Sequence, residues 1–158
     1  MQLEKPEERP DLLLDVVRNM REWDRREIYA TRFDDDPHKV VADVLAFGQV
    51  SWLAGLGDRP IAAFGCAPMW RGVWSMWLFA TDDFQQIGLS VTKLIVRSIV
   101  PMLFDAGAHR LEARSMEGHV EAQRWLELIG ASRECSLKGY GRDGQDFHVY
   151  TWQDRRAG

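Results

Sequence analysis

The segment Trp77-Leu78-Phe79-Ala80-Thr81-Asp82-Asp83-Phe84-Gln85-Gln86-Ile87-Gly88-Leu89-Ser90 holds the residue types and spacing best suited to chemistry. An apolar strand ends, a short polar loop follows, and a helix begins around a glycine. Unpaired backbone N–H groups at a helix start attract an anion, and glycine lets a phosphate approach without a Cβ in the way. The same residues fit a plainer role, with Gly88 easing a turn and Asp82 or Asp83 capping the helix. Other constellations are poorer. His38, His109, His119 and His148 are scattered, none at the i,i+3 or i,i+4 spacing of a metal pair, so no metal is expected. Neither a Gly-x-Ser-x-Gly elbow nor a Walker loop occurs. Arg21, Arg25 and Arg26 alternate with Glu22, Asp24 and Glu27, the pattern of a solvated helix face with i,i+4 pairs. Trp70, beside Arg71-Gly72, belongs to an expected loop where an exposed aromatic could anchor a partner.

These residues need elements to hold them. The 158 residues suit one domain, and 46% hydrophobic with 28% charged residues is a globular balance. No apolar run approaches the ~20 residues that span a bilayer, and Met1 to Pro6 lack the features of a secretory signal. A net charge of −4 argues against a phosphate-driven nucleic-acid binder. Cys66 and Cys135 both lie in strand-like apolar contexts and are expected as small core residues of a cytoplasmic protein. The first helix is expected from Pro10 through Ile28, on the spacing of Leu13, Val16, Val17, Met20 and Trp23. Asp36 and Pro37 should open a second helix that Gly48 ends. Strands follow at 51–56, 61–67 and 73–80, the first two joined by a turn at Gly57-Asp58. The last of the three is apolar almost throughout, as for a strand covered on both faces. A long helix from about Gly88 to Ala106 contains Pro101, which should bend it or loosen its last turn. Then come a strand at 111–115, a helix from His119 to Gly130, and strands near 134–138 and 147–152 around the hairpin signal Asp143-Gly144. Arg155-Arg156 is read as a short frayed tail. The order α-α-β-β-β-α-β-α-β-β makes a mixed α/β domain.

Gln85-Gln86-Ile87-Gly88-Leu89-Ser90 resembles the Gln/Arg-x-x-Gly-x-Gly/Ala signature of the GNAT acyltransferase superfamily. Gln85 and Gly88 match, and Ser90 stands where a second glycine or alanine is usual. The segment from His119 to Ala131 is similar to the superfamily's Asn-x-x-Ala…Tyr-x-x-x-Gly-Phe helix, with Ala122 and Gly130 in register. His119 replaces the asparagine, Ala131 the phenylalanine and Leu126 the tyrosine. The resemblance extends to GNAT-like proteins of tailed bacteriophages, including internal virion protein A of short-tailed phages. That branch is carried by the runs Met20–Ile28, Pro60–Gly65, Trp77–Asp82 and Arg124–Leu126. It covers nearly the whole chain with short motifs.

The resemblance implies a single GNAT-like domain over 1–158, with a central mixed sheet, a splayed parallel strand pair (73–80 and 111–115) and helices on both faces. It implies acetyl-CoA as cofactor, its pyrophosphate on Gln85, Gln86, Ile87, Gly88, Leu89 and Ser90 and its thioester near the backbone of Leu78, Phe79 and Ala80. In many members the tyrosine protonates the departing thiolate, which Leu126 cannot do. Strand 73–80 offers no carboxylate or histidine as a base, so Glu117 and His119 are the candidates; a His119 that merely caps the next helix is the alternative. Two functions follow. One is acetyl transfer to an unidentified amine, with Trp23, Arg32, Arg142 and Asp143 on the acceptor walls. The other is a non-catalytic phage internal virion or assembly protein, partnered by phage structural proteins.

Overall fold

The computed structural model describes residues 1–154, so the tail at Arg155-Arg156 lies outside the described residues. One seven-stranded mixed sheet runs in the order β1-β2-β3-β4-β5-β7-β6. Its strands are β1 (Gln2–Glu4), β2 (Val50–Leu56), β3 (Arg59–Trp70), β4 (Val73–Ala80), β5 (Arg110–Met116), β6 (Ser132–Leu137) and β7 (Phe147–Gln153). The helices are α1 (Pro10–Arg18), α2 (Glu22–Ala30), α3 (Pro37–Phe47), α4 (Gly88–Leu94), α5 (Val100–Asp105) and α6 (Val120–Leu128). Strand β4 runs parallel to β5, as expected from the sequence, and the three residues of β1 are an addition to it. The chain forms two compact units, Met1–Ala67 with Met76–Ser90, and Pro68–Ser75 with the residues from Val91 onward.

In the first unit the core is built from α1, α3 and the strands. Leu13, Val16 and Val17 lie one helical turn apart or adjacent on α1, and they pack with Val40 and Val44 of α3 and with Leu53, Ala63 and Phe79. Each fully buried aliphatic or aromatic side chain contributes about 1.5–3 kcal/mol, so this face fixes both helices. Helix α3 starts as its sequence predicts. The Asp36 carboxylate accepts from the His38 N–H at 2.9 Å, Pro37 takes the first helical position, and the Gly48 N–H donates to the Val44 carbonyl at 2.7 Å. The small residue Gly65 is needed because Ser51 lies opposite it on β2; a Cβ there would be 2.7 Å from that of Ser51.

The single helix expected from Pro10 to Ile28 is instead two. The side-chain amide of Asn19 donates to the Asp15 carbonyl at 2.8 Å, and Met20 forms an antiparallel bridge with Thr81. That bridge requires extended backbone at Met20, which a continuing helix cannot supply. Periodicity could not show this, because the partner is a strand end far along the chain.

In the second unit β7 pairs antiparallel with β5 along its whole length, from Arg110↔Gln153 to Met116↔Phe147, and β6 lies outside β7. Position explains one misplaced expectation. β6 ends the sheet order and is exposed along nearly all its length, so Cys135 is a surface thiol rather than a core residue. Pro101 does not loosen the helix end. Ile95–Ile99 form a π turn directly before it, closed by the Val100 N–H on the Ile95 carbonyl, and the wider turn accommodates a residue without an N–H. Asp143-Gly144 is a real turn, with Gly144 at φ +84° and its N–H on the Gly141 carbonyl, but it lies inside the longer connection 138–146. Lys138 and the Gly139 N–H both bind the Asp146 carboxylate at 2.8 Å and tie that connection down.

The two cysteines should therefore behave differently. Burial pushes the Cys66 thiol up to about 12, whereas Cys135 is exposed. Titration with a thiol reagent near pH 8 is expected to count one reactive group in the native protein and two after unfolding. Two fast thiols in the native protein would contradict this placement of Cys66.

Candidate functional site at the end of β4

Three registered pairs join β4 to β5: Val73↔Arg110, Trp74↔Leu111 and Ser75↔Glu112. β4 itself continues to Ala80. The expectation that this strand is covered on both faces does not hold, since Trp74, Ser75, Met76, Trp77 and Leu78 are all only half-buried. Trp77 packs against the core of the first unit and stacks on Phe79, so the partly open apolar side chains that remain are Trp74, Met76 and Leu78. The strand's backbone directions sort its end residues. The Thr81 N–H donates to the Ile61 carbonyl of β3 at 2.8 Å. Successive residues turn their N–H and C=O groups to opposite edges, so those of Ala80 and Leu78 point away from β3 and those of Phe79 toward it. Phe79 also has its side chain in the core of the first unit. Of the three residues expected to present backbone groups, Leu78 and Ala80 thus share the outward edge.

Ala80 already has partners there. Its N–H donates to Asp24 Oδ2 at 2.8 Å, and its carbonyl accepts from the Arg21 N–H at 2.8 Å. Asp24 is 3% exposed, and the Arg21 guanidinium grips it at three distances, Nε–Oδ2 3.1 Å, Nη2–Oδ1 3.1 Å and Nη2–Oδ2 2.8 Å. The other side of the same guanidinium lies 4.9 Å from the ring centre of Phe84. The expectation of a solvated helix face therefore holds only for Arg25 and Arg26, which share exposed Glu22. Arg21 and Asp24 are a buried ion pair, because the chain between α1 and α2 adds onto the end of β4. Removing one partner of such a pair costs about 3–5 kcal/mol. Sequence reasoning missed Asp24 as a site residue; the arginine three positions earlier was visible, but its burial was not.

The following loop is more ordered than expected. Thr81, rather than Asp82 or Asp83, is the cap: its hydroxyl accepts from the Asp83 N–H at 3.4 Å and heads a 3-10 turn over Asp82–Gln86. Arg59 at the start of β3 pairs with Asp83 at 3.1 Å and donates to Gln86 Oε1 at 2.9 Å, while Gln86 Nε2 donates to Asp83 at 2.9 Å. Gln85, Gln86, Leu89 and Ser90 are exposed, Gly88 is half-buried and Ile87 is buried. Gly88 is not among the glycines of positive φ, and a Cβ there would make only ordinary contact with Phe84, at 3.5 Å. Neither backbone conformation nor packing demands a glycine at this position. The easing of a turn therefore does not explain it.

The two candidate bases belong to the second unit, in the turn between β5 and α6. Glu117 is exposed, and its N–H donates to the Asp146 carbonyl at 2.9 Å. His119 is buried at the N-cap of α6, yet its ring makes no capping hydrogen bond, so the plain capping role is not what holds it. Leu126, in the place of the tyrosine, is packed into the buried face of α6. A third histidine is better defined. His148 Nδ1 lies 2.7 Å from Arg133 Nη2 and 2.9 Å from Ser136 Oγ. A guanidinium can only donate, so Nδ1 is bare and the ring proton sits on Nε2. Burial first and Arg133 second hold this imidazole below its ordinary titration range. Among the described residues no three His, Cys, Asp or Glu side chains stand together as metal ligands, and no helix is long and apolar enough to cross a membrane.

No family model and no curated protein matches this sequence. Solved structures do match it. The ribosomal-protein-alanine N-acetyltransferase of Brucella melitensis superposes with a TM-score of 0.72 at 12% identity, over 97% of this chain and 99% of that one. A candidate acetyltransferase of Salmonella typhimurium, solved with its cofactor acetyl-CoA, gives 0.70 at 13% identity over 99% and 95%. This chain has the GNAT acetyltransferase fold. A candidate GNAT-family acetyltransferase from Desulfovibrio desulfuricans gives 0.63 at 22% identity, over 96% of this chain and 98% of that one. At such identities the GNAT likeness is one of architecture. The mixed sheet with a parallel β4–β5 pair is the arrangement the resemblance implied, while these bacterial neighbours lend no support to a phage branch.

Two outcomes follow if this region binds CoA and if burial sets the His148 titration. Gly88→Ala should leave the melting temperature unchanged or slightly raised, since alanine is favoured over glycine in a helix by ~0.5–1 kcal/mol. The same change should weaken CoA binding about tenfold, or ~1.4 kcal/mol, by calorimetry; undiminished binding would remove Gly88 from the site. For His148 the sign is set by its lowered pKa. Between its folded value and the ordinary 6.5 the unfolded chain binds more protons, so stability falls as pH drops below about 6.5. His148→Gln should flatten that part of the unfolding free-energy profile, and an unchanged slope would refute the assignment.

Proposed function

We propose that this protein is an N-acetyltransferase that binds acetyl-CoA and passes its acetyl group to an amine. The carrying observation is the apolar middle of β4, half-buried beyond the last registered pair with β5 and followed by a helix start whose glycine the fold itself does not require. The GNAT fold of a neighbour solved with acetyl-CoA supports the choice of cofactor. In this proposal the whole chain acts as one GNAT-like domain.

The outward backbone edge of Leu78 and Ala80 would position the thioester end of the cofactor, with Phe79 anchoring that strand end in the core, and Gln85, Gln86, Ile87, Gly88, Leu89 and Ser90 would hold its pyrophosphate. The dispersed charge there suits backbone N–H groups better than a single cation, and Arg59 offsets the nearby Asp83. Bound acetyl-CoA would supply an activated acyl carbon that exchanges its C–S bond for a C–N bond to the amine. Glu117 or His119 would accept the proton that the amine sheds. CoA would then leave as its thiolate, because buried Leu126, in the place of the tyrosine, has no proton to give the sulfur. That one observation favours the second reading, a GNAT-fold scaffold without catalysis, such as a phage internal virion or assembly protein.

Thermal unfolding with CoA separates the two. At ~100 times its dissociation constant, CoA should add roughly 2.7 kcal/mol to stability. Acetyl transfer to an amine panel should then fall about a hundredfold or more in whichever of Glu117→Gln and His119→Ala removes the base. No melting shift at millimolar CoA would eliminate the enzyme and leave the scaffold.

A further inference from the structure

We infer that Arg21 and Asp24 form a latch that competes with a bound acyl-carrier arm for the backbone groups of Ala80. The inference rests on the cofactor reading above and adds a regulatory element to it. Ala80 is the last residue of β4, and its N–H and C=O both point away from β3. On that edge a strand end would ordinarily offer its groups to a neighbouring strand, to water or to an extended ligand. Here the Asp24 carboxylate takes the N–H and the Arg21 N–H takes the carbonyl. An arm lying along the edge from Leu78 to Ala80 would need the same two groups, and one N–H cannot serve two full-strength acceptors.

The latch is built to release as a unit. Asp24 belongs to the first turn of α2, and Arg21 immediately precedes that helix, so both partners move with one helix start. When Asp24 lets go of Ala80 it keeps its guanidinium partner, and no isolated buried charge is created. The Arg21 guanidinium also covers Phe84, whose ring is the nearest side chain to Gly88. A displacement at Ala80 is therefore passed through Arg21 and Phe84 to the residues proposed to hold the pyrophosphate. A purely structural clamp would have the opposite effect on binding, since loosening it would disorder the loop and weaken the ligand.

The sign of one substitution decides between them. If roughly a tenth of molecules are open, Asp24→Ala should tighten CoA about tenfold by calorimetry, because apparent affinity is reduced by the closed fraction. It should tighten pantetheine similarly and leave adenosine 3′,5′-bisphosphate unchanged, as only the former lies along β4. Asp24→Asn, which keeps an acceptor for the Ala80 N–H, should fall between wild type and alanine. Should both variants fail to fold, the wild-type protein provides the measurement: the Ala80 amide resonance should shift on CoA addition together with the Asp24 carboxyl carbon. Wild-type binding with equal or weaker binding by the variants, or with both resonances unmoved, would overturn the latch and leave the cofactor reading intact. Absence of CoA binding in every form would overturn the cofactor reading and the latch with it.

Discussion

A carboxylate removed from water must be surrounded by donors, and Asp24 satisfies that requirement with one guanidinium and one strand N–H. Much of the local structure is a consequence. To bring Asp24 to Ala80 the chain has to leave α1, extend through Met20 beside Thr81, and restart as α2. Once there, Arg21 lies over Phe84 and steadies the 3-10 turn that leads to Gly88. Helix break, strand end and loop are thus parts of one electrostatic arrangement, far apart in sequence and close in space.

The second constraint is the short reach of the parallel register. Pairing ends at Ser75 while β4 runs on to Ala80, so the strand keeps one row of backbone groups without a registered partner strand. A fold is set by the pattern of buried and exposed positions and needs few particular side chains. This explains how neighbours of 12–22% identity share the architecture. It also explains why the substitutions at Ser90 and Leu126 leave the fold intact: one faces solvent and the other packs as an ordinary core leucine.

Where the chain departs from expectation, the reason is sometimes a long-range partner and sometimes a local bond that the pattern does not show. Cys135 lies in a strand as Cys66 does, but its neighbours Arg133, Glu134 and Ser136 are polar and β6 ends the sheet, whereas β3 is an inner strand. Pro101, expected to bend its helix or loosen the last turn, follows a π turn at Ile95–Ile99 that interrupts the regular helix before it. His148, one of four histidines scattered in sequence, meets Arg133 and Ser136 across the β6–β7 ladder, and burial followed by Arg133 lowers its pKa. His119 had the position of a helix cap without the bond of one.

Local signals determined much by themselves: the cap at Asp36-Pro37, the turn at Gly57-Asp58, the bounds of β4, the glycine that opens α4, and through these a mixed α/β domain. Each depends on interactions within a few residues, where side-chain type and spacing carry the physics. Tertiary structure alone decided that Asp24 is buried, that Ala80 is already bonded, that β4 is half-open and that Gly88 is free of any steric need. Burial and pairing are properties of what lies across from a residue. The sequence states what each residue can bond to, and only the folded chain states which partner reaches it first.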